Sequence, residues 1–275
     1  MNWHQLGYLC RLYSATNNLS ATQQSQLSEV SHLQIYGHAQ RHSALAKKLA
    51  DELINSSNQQ QQTVLADCYS RLPKALAKSH FEYKKQLLYI TAVFATFIAI
   101  SFIYQLYVIP TFTEILSSHQ LYFDNPFSWY NEYWYGFLLL LAILFVILCL
   151  TIFKLRDACY LSLSEPFCGV LGLLIPPKIK QEYAILMAIL SFPAKLSQDN
   201  CTLPELIHLE SCRLHGLNVN EEFGCLVKQK VLLLHSLTQK YISALIMLFT
   251  VVMVVAIYLF LKEAYQPIFM IGEIV

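Results

Sequence analysis

Leu87-Leu-Tyr-Ile-Thr-Ala-Val-Phe-Ala-Thr-Phe-Ile-Ala-Ile-Ser-Phe-Ile-Tyr-Gln-Leu-Tyr-Val-Ile-Pro110 runs straight into Thr111 to Tyr135, a stretch that holds Glu114, Asp124 and Glu132 and no lysine or arginine. The first run is close to the roughly 20 residues a helix needs to cross the hydrocarbon core of a bilayer. Gly136 to Phe153 and Tyr241 to Leu261 are two more runs of the same kind. The cation-free stretch between the first two runs lies outside by the positive-inside rule.

Working outward, residues 1–86 carry a net charge of +4, residues 111–135 of −3, residues 154–240 of +1 and residues 262–275 of −1, within a chain total of +1. Lys84 and Lys85 before the first run, with Lys154 and Arg156 after the second, mark the cytoplasmic edge. Tyr122, Trp129, Tyr130, Tyr133, Trp134 and Tyr135 suit the outer interface. Three crossings place the N-terminus in the cytoplasm and the C-terminus outside. No segment has the large basic excess of a polyanion binder, so nucleic acid is not an expected partner. Met1 to Leu12 lacks the apolar core of a cleaved signal peptide. Of 8 cysteines, 7 fall in cytoplasmic segments and Cys149 in the second span, which fits reduced thiols.

These observations give an all-α fold class: a polytopic membrane protein with three transmembrane helices and two helical-bundle cytoplasmic domains. The expected order is 1–86, first cytoplasmic domain; 87–110, first transmembrane helix; 111–135, periplasmic loop; 136–153, second transmembrane helix. It continues with 154–240, second cytoplasmic domain; 241–261, third transmembrane helix; and 262–275, periplasmic tail. In the first domain Ser20-Ala-Thr-Gln23 reads as a helix start, Ala44, Leu45, Leu49 and Leu53 share helical spacing, and Pro73 sits at a helix start or kink. In the second, Thr202-Leu-Pro-Glu205 has the form of a capping box and Gly216 of a C-terminal stop, predicting a helix from Leu203 to His215. Its spacing turns Leu203, Leu206, Ile207 and Leu214 toward a core, puts Leu209 at the margin, and leaves His208, Cys212 and His215 facing solvent.

His208, Cys212 and His215 are the one constellation with metal-ligand chemistry, but three ligands without a CxxC or HExxH favour a solvated helix face, and no metal is expected. His38 and His42 have the same reading. No phosphate loop, dinucleotide fingerprint or nucleophile elbow occurs, and 8 glycines offer little for a phosphate cradle. No carboxylate lies inside the three runs, and Thr96, Ser101, Gln105, Thr151 and Thr250 read as ordinary intrahelical polar residues. No catalytic, cofactor-binding or metal residue is therefore assigned.

Each half runs from a helical cytoplasmic segment into an apolar span and leaves it through Pro-x-Phe, Pro110 and Phe112 in the first half, Pro267 and Phe269 in the second. An acid follows each, Glu114 and Glu273, and the two matching exits point to internal duplication. Tyr107-Val-Ile-Pro-Thr-Phe112, Glu165-Pro-Phe-Cys-Gly-Val170 with Pro166 and Gly169, and Tyr265 to Val275 together carry a resemblance. The chain resembles the type II secretion F proteins, which include the inner-membrane platform proteins of type IV pili. Asn17 to Ser20 and Asp199 to Pro204 stand where that family has a Gly-Val/Leu-Pro-Leu turn, so the chain is similar to a divergent member.

The resemblance implies a non-enzymatic platform in the bacterial inner (plasma) membrane, multi-pass and without a cofactor. It would couple a cytoplasmic hexameric motor ATPase to assembly of pilin or pseudopilin subunits, alongside other inner-membrane assembly proteins and as a homo-oligomer. The fibre would be a pilus, a secretion pseudopilus or a DNA-uptake filament. A membrane-anchored scaffold or adaptor is the alternative reading, and a small transporter the third.

Overall fold

The computed structural model describes residues 1–14, 35–36, 42–55, 59–76, 83–118, 126–161, 167, 169–193 and 203–272. Among these residues every regular element is helical. In chain order they are α1 (Trp3–Ser14), α2 (Ala44–Asn55), α3 (Gln59–Ser70), α4 (Leu72–Leu76), α5 (Tyr83–Ile103), a π-helical turn (Tyr104–Val108), α6 (Ile109–Ser118), α7 (Pro126–Cys159), α8 (Val170–Leu173), α9 (Pro177–Ser191), α10 (Pro204–Leu214) and α11 (Val219–Gly272). Three helical stretches, Lys85–Glu114, Glu132–Cys159 and Val219–Tyr265, are long and apolar enough to cross a membrane. The chain divides into two compact units, residues 1–80 with 151–238 and residues 81–150 with 239–275, so α7 and α11 supply residues to both.

In the first unit, local chemistry starts the helices. Asn2 caps α1 with a reciprocal pair: its Oδ1 accepts from the Gln5 backbone N–H at 2.8 Å and its own N–H donates to Gln5 Oε1 at 2.8 Å. Two orphan donors are thereby satisfied in the manner of a capping box. Ser43 caps α2 with a single bond, its Oγ accepting from the Ala46 N–H at 3.2 Å. Of the four residues grouped by helical spacing in α2, Leu45, Leu49 and Leu53 are buried and Ala44 is exposed. At Gly7 a Cβ would come to 2.5 Å from Pro73 Cγ, so the missing side chain lets α1 lie against the start of α4.

Residues 1–80 and 151–238 are tied to each other by polar contacts as well as by packing. Trp3 Nε1 donates to the Tyr160 carbonyl at 3.3 Å, Ser43 Oγ to the Leu161 carbonyl at 2.5 Å and the Tyr69 hydroxyl to the Leu190 carbonyl at 3.1 Å. Leu161 adopts φ +50 and is fully buried, so core packing holds a leucine in the left-handed region. The Tyr69 ring meets Phe223 at 6.3 Å between centroids.

The second unit is built on aromatic rings. Phe94 of α5 stacks on Phe145 of α7 at 4.5 Å, and Phe249 of α11 closes the group at 6.1 Å from Phe94 and 5.5 Å from Phe145. Each span thus contributes one ring to a shared contact. Farther along, Phe260 meets Phe97 at 5.9 Å and Tyr104 at 5.3 Å, both edge to face. Trp134 turns inward within the protein: it is 1% exposed and its Nε1 donates to Ser101 Oγ of α5 at 2.8 Å. A buried indole N–H needs such a partner. Tyr133 and Tyr135 do face outward.

The helix of the first span does not stop at Pro110. Pro110 has no N–H to donate and its ring crowds the preceding turn. Directly before it the backbone widens into the π turn, where the Ile109 N–H bonds the Tyr104 carbonyl, and α6 then continues to Ser118. One extra residue in the turn relieves the clash without ending the helix. Thr96 and Thr250 bond the carbonyls four residues back at 2.9 and 2.8 Å, the ordinary intrahelical role expected of them.

Candidate functional site

The first unit gathers its charged chemistry where α9, α10 and α11 meet. Pro177 and Pro204 occupy the first helical positions of α9 and α10, where a missing N–H costs nothing. At its other end α10 closes in a Schellman turn. The Leu217 N–H reaches the Cys212 carbonyl at 2.9 Å, the Gly216 N–H reaches that of Arg213 at 3.3 Å, and Gly216 takes φ +73. The predicted stop at Gly216 is therefore found, and α10 ends within one residue of its expected C-terminus. At the start the N-cap is Leu203, with no side-chain cap bond, and Thr202 lies outside the described residues.

The face of α10 that packs is the opposite of the one expected. Leu209 and Cys212 are buried, whereas Ile207 is 50% and Leu214 72% exposed; Leu203 and Leu206 are intermediate. The reason lies with Glu205, which shares the packed face with Leu209 and Cys212. Its Oε1 accepts from Lys230 Nζ at 2.8 Å, and Lys230 also reaches Glu182 Oε2 at 3.1 Å, so one ammonium joins three helices. The three side chains are 15–23% exposed, which shields the ions from water and makes the contacts stronger than a surface pair. The Lys230 hydrogen bond, aided by the backbone N–H of Glu205, holds the Glu205 carboxyl below the usual carboxylate range.

His208 follows on the flank of α10. Its Nε2 lies 3.6 Å from Cys212 Sγ and 3.7 Å from Glu222 Oε2, while His215 Nδ1 sits 2.7 Å from the Ser211 carbonyl. The three residues weighed as ligands thus do not converge, and Cys212 is buried where solvent exposure was expected. Among the described residues no three His, Cys, Asp or Glu side chains are placed to share a metal ion. Cys10 and Cys68 are pushed up to about 12, in each case by burial first, so both stay as thiols at neutral pH and lack the thiolate a nucleophile needs. Cys168, Cys201 and His38 lie outside the described residues.

Sequence reasoning passed over one carboxyl in the second unit. Glu263 follows the third apolar run by two residues and reads there as tail, but α11 continues to Gly272 and leaves Glu263 only 9% exposed. Its Oε2 is enclosed and has no hydrogen-bond partner among the described residues. One residue on, the Ala264 carbonyl accepts from the Tyr104 hydroxyl at 3.2 Å, where the π turn begins. An ionisable group enclosed at the end of a span is costly and marks a functional position by default. The legible signal was the charge pair Lys262-Glu263 directly abutting an unbroken helical pattern.

The six family-like positions fall in both units. Pro110 is exposed and Phe112 half-buried beyond the π turn, and Phe269 is 72% exposed on α11, which runs on through Pro267. Gly169 takes φ +95 at the N-terminus of α8, a conformation that favours glycine. Pro166 lies outside the described residues. No family model matches the chain, and neither a curated protein nor a solved structure matches it.

Proposed function

We propose that this chain is a non-enzymatic inner-membrane platform that couples a cytoplasmic motor ATPase to the assembly of pilin-like subunits. The observation that carries the reading is the order of the chain: helical segment, span, short cation-free loop, span, helical segment, span, with matching Pro-x-Phe exits. Support comes from the way the two helical segments join one compact unit, a body fit to receive force from a motor and pass it to α7 and α11. Further support comes from the spans, in which only 22–28% of each most apolar window is buried within the protein. Such helices keep wide apolar faces for lipid or for the membrane helices of fibre subunits. On this reading the two helical segments descend from one duplicated unit, the N-terminus is cytoplasmic and the C-terminus periplasmic.

The test is copurification. Full-length protein carrying a C-terminal tag, extracted from its native membranes in mild detergent, should retain a hexameric ATPase and pilin-like subunits, and deletion of its gene should abolish the fibre. Recovery of neither partner, with fibre assembly intact in the deletion strain, would remove the proposal.

A further inference from the structure

The single turn of α8 holds two leucines out of the first unit. Gly169, at φ +95, opens the turn. The Gly172 N–H bonds the Gly169 carbonyl at 2.8 Å, and the Ile175 N–H bonds that of Gly172 at 3.2 Å. Gly172 lies so close to the Phe167 carbonyl oxygen that a Cβ would collide with it, and the Phe167 ring meets Tyr183 edge to face at 5.1 Å. Ile175 is buried. Between these anchors Leu173 is 87% exposed, the most of any large apolar side chain among the described residues, and Leu174 is 49% exposed. The turn is fixed on both sides, so the exposure of the pair is part of the fold.

Charge beside the pair points to what it meets. Pro166 to Gln181 holds Lys178 and Lys180 and no acid. Lys178 is exposed and Lys180 half-buried at the start of α9, and the next acid along the chain, Glu182, bonds Lys230. Leucines beside lysines suit the surface of an anionic bilayer, where the apolar side chains enter the acyl boundary and the ammonium groups stay with the phosphates. Contacts between proteins, by contrast, are depleted in lysine.

The turn is also rooted near lipid. The apolar span of α7 runs to Cys159, and its residues from Thr151 onward belong to the first unit. Tyr183 is close to Cys159: burial first, and that thiol second, push its phenol above the usual range. Tyr183 and Phe167 therefore link the end of the span to the base of the turn.

We infer that Leu173 and Leu174, with Lys178 and Lys180, form an interfacial contact with anionic lipid beside the end of α7 that bears Lys154 and Arg156. The inference rests on the three spans and not on the fibre reading. Two leucines are too few to anchor a protein alone, but the spans already hold the turn near the bilayer at high effective concentration.

Fluorescence with lipid-borne quenchers tests the contact. In full-length protein with Cys149, Cys168, Cys201 and Cys225 replaced by Ser, Leu173→Cys carries an environment-sensitive NBD probe. The reference is protein that keeps Cys225 as its labelled thiol, exposed on α11 and about 24 Å of helix before Tyr241 at 1.5 Å per residue. In vesicles of mixed phosphatidylcholine and phosphatidylglycerol, the probe at 173 should emit to the blue of the reference. A phospholipid with a nitroxide near its glycerol should quench it several-fold more. Quenching should fall in phosphatidylcholine alone and in a variant that adds Lys178→Glu and Lys180→Glu, with helicity by circular dichroism unchanged. Quenching no greater than at Cys225 would overturn the inference, and so would equal quenching in the two kinds of vesicle. A probe shifted to the blue but not quenched would mean that protein, another copy or a partner, covers the leucines, and would refute the lipid contact while leaving the platform reading intact.

Discussion

Lys230 is the residue on which three helices depend, and its role follows from distance and screening. Nζ lies 2.8 Å from Glu205 and 3.1 Å from Glu182, with all three side chains mostly shielded. Lys230→Met removes the cation, keeps the apolar stem and leaves two acids facing each other, at an expected cost of about 1.5–3 kcal/mol, the range for hydrogen bonds to charged groups. Thermal unfolding of the full-length protein in detergent, followed by circular dichroism, should show this loss at pH 7. The pH dependence has a definite sign. The Glu205 carboxyl is held low in the folded state, chiefly by Lys230, so its stabilisation is complete above the unfolded value near 4.3 and disappears as pH falls through the lower folded value. The gap between the two proteins should narrow as the pH falls below that unfolded value; a gap that stays constant would mean the ion cluster is not its source. In the sequence Glu205 reads as the closing acid of a capping box that begins at Thr202. A lysine 25 positions away claims it instead, and nothing in the local pattern reveals that.

At the scale of the element, α10 shows what helical periodicity does and does not decide. Its ends are legible because they depend on residues in contact along the chain: proline in the first turn, glycine in the left-handed region at the stop. Its facing is not legible, because two apolar stripes compete and the one with more leucine and isoleucine is the uncovered one. The two facings predict opposite outcomes. Leu209→Asp puts an unpaired charge at a fully buried position and should cost about 3–5 kcal/mol, enough to empty the membrane of folded protein. Ile207→Asp, at a half-exposed position, should leave the amount of protein unchanged. Immunoblots of membrane fractions compare them directly, and the reverse ranking would restore the expected core of Leu203, Leu206, Ile207 and Leu214. The π turn makes the same point in another way. Pro110 alone suggests the end of a helix, and only the backbone around it shows the extra residue that lets the helix continue.

At the scale of the whole molecule, topology is the property to test first. A reporter active only outside the cytoplasm should be active when fused after Phe123 or Val275 and silent when fused after Lys78 or Gly216. Activity after Gly216 would contradict three crossings with a cytoplasmic N-terminus. The existence of three membrane-length helices, the all-helical class and the ends of α10 were fixed by the sequence alone. Hydrophobicity summed over about 20 residues, and capping between neighbours, are properties of contiguous chain that any folded arrangement must respect. The tertiary structure decided the rest. It merged residues 1–80 and 151–238 into one unit, buried Trp134 against Ser101, enclosed Glu263 near Tyr104 and turned Leu209 rather than Ile207 inward. Each of these is settled by partners far apart in the sequence, where the energy of a contact depends on which distant group arrives to share it.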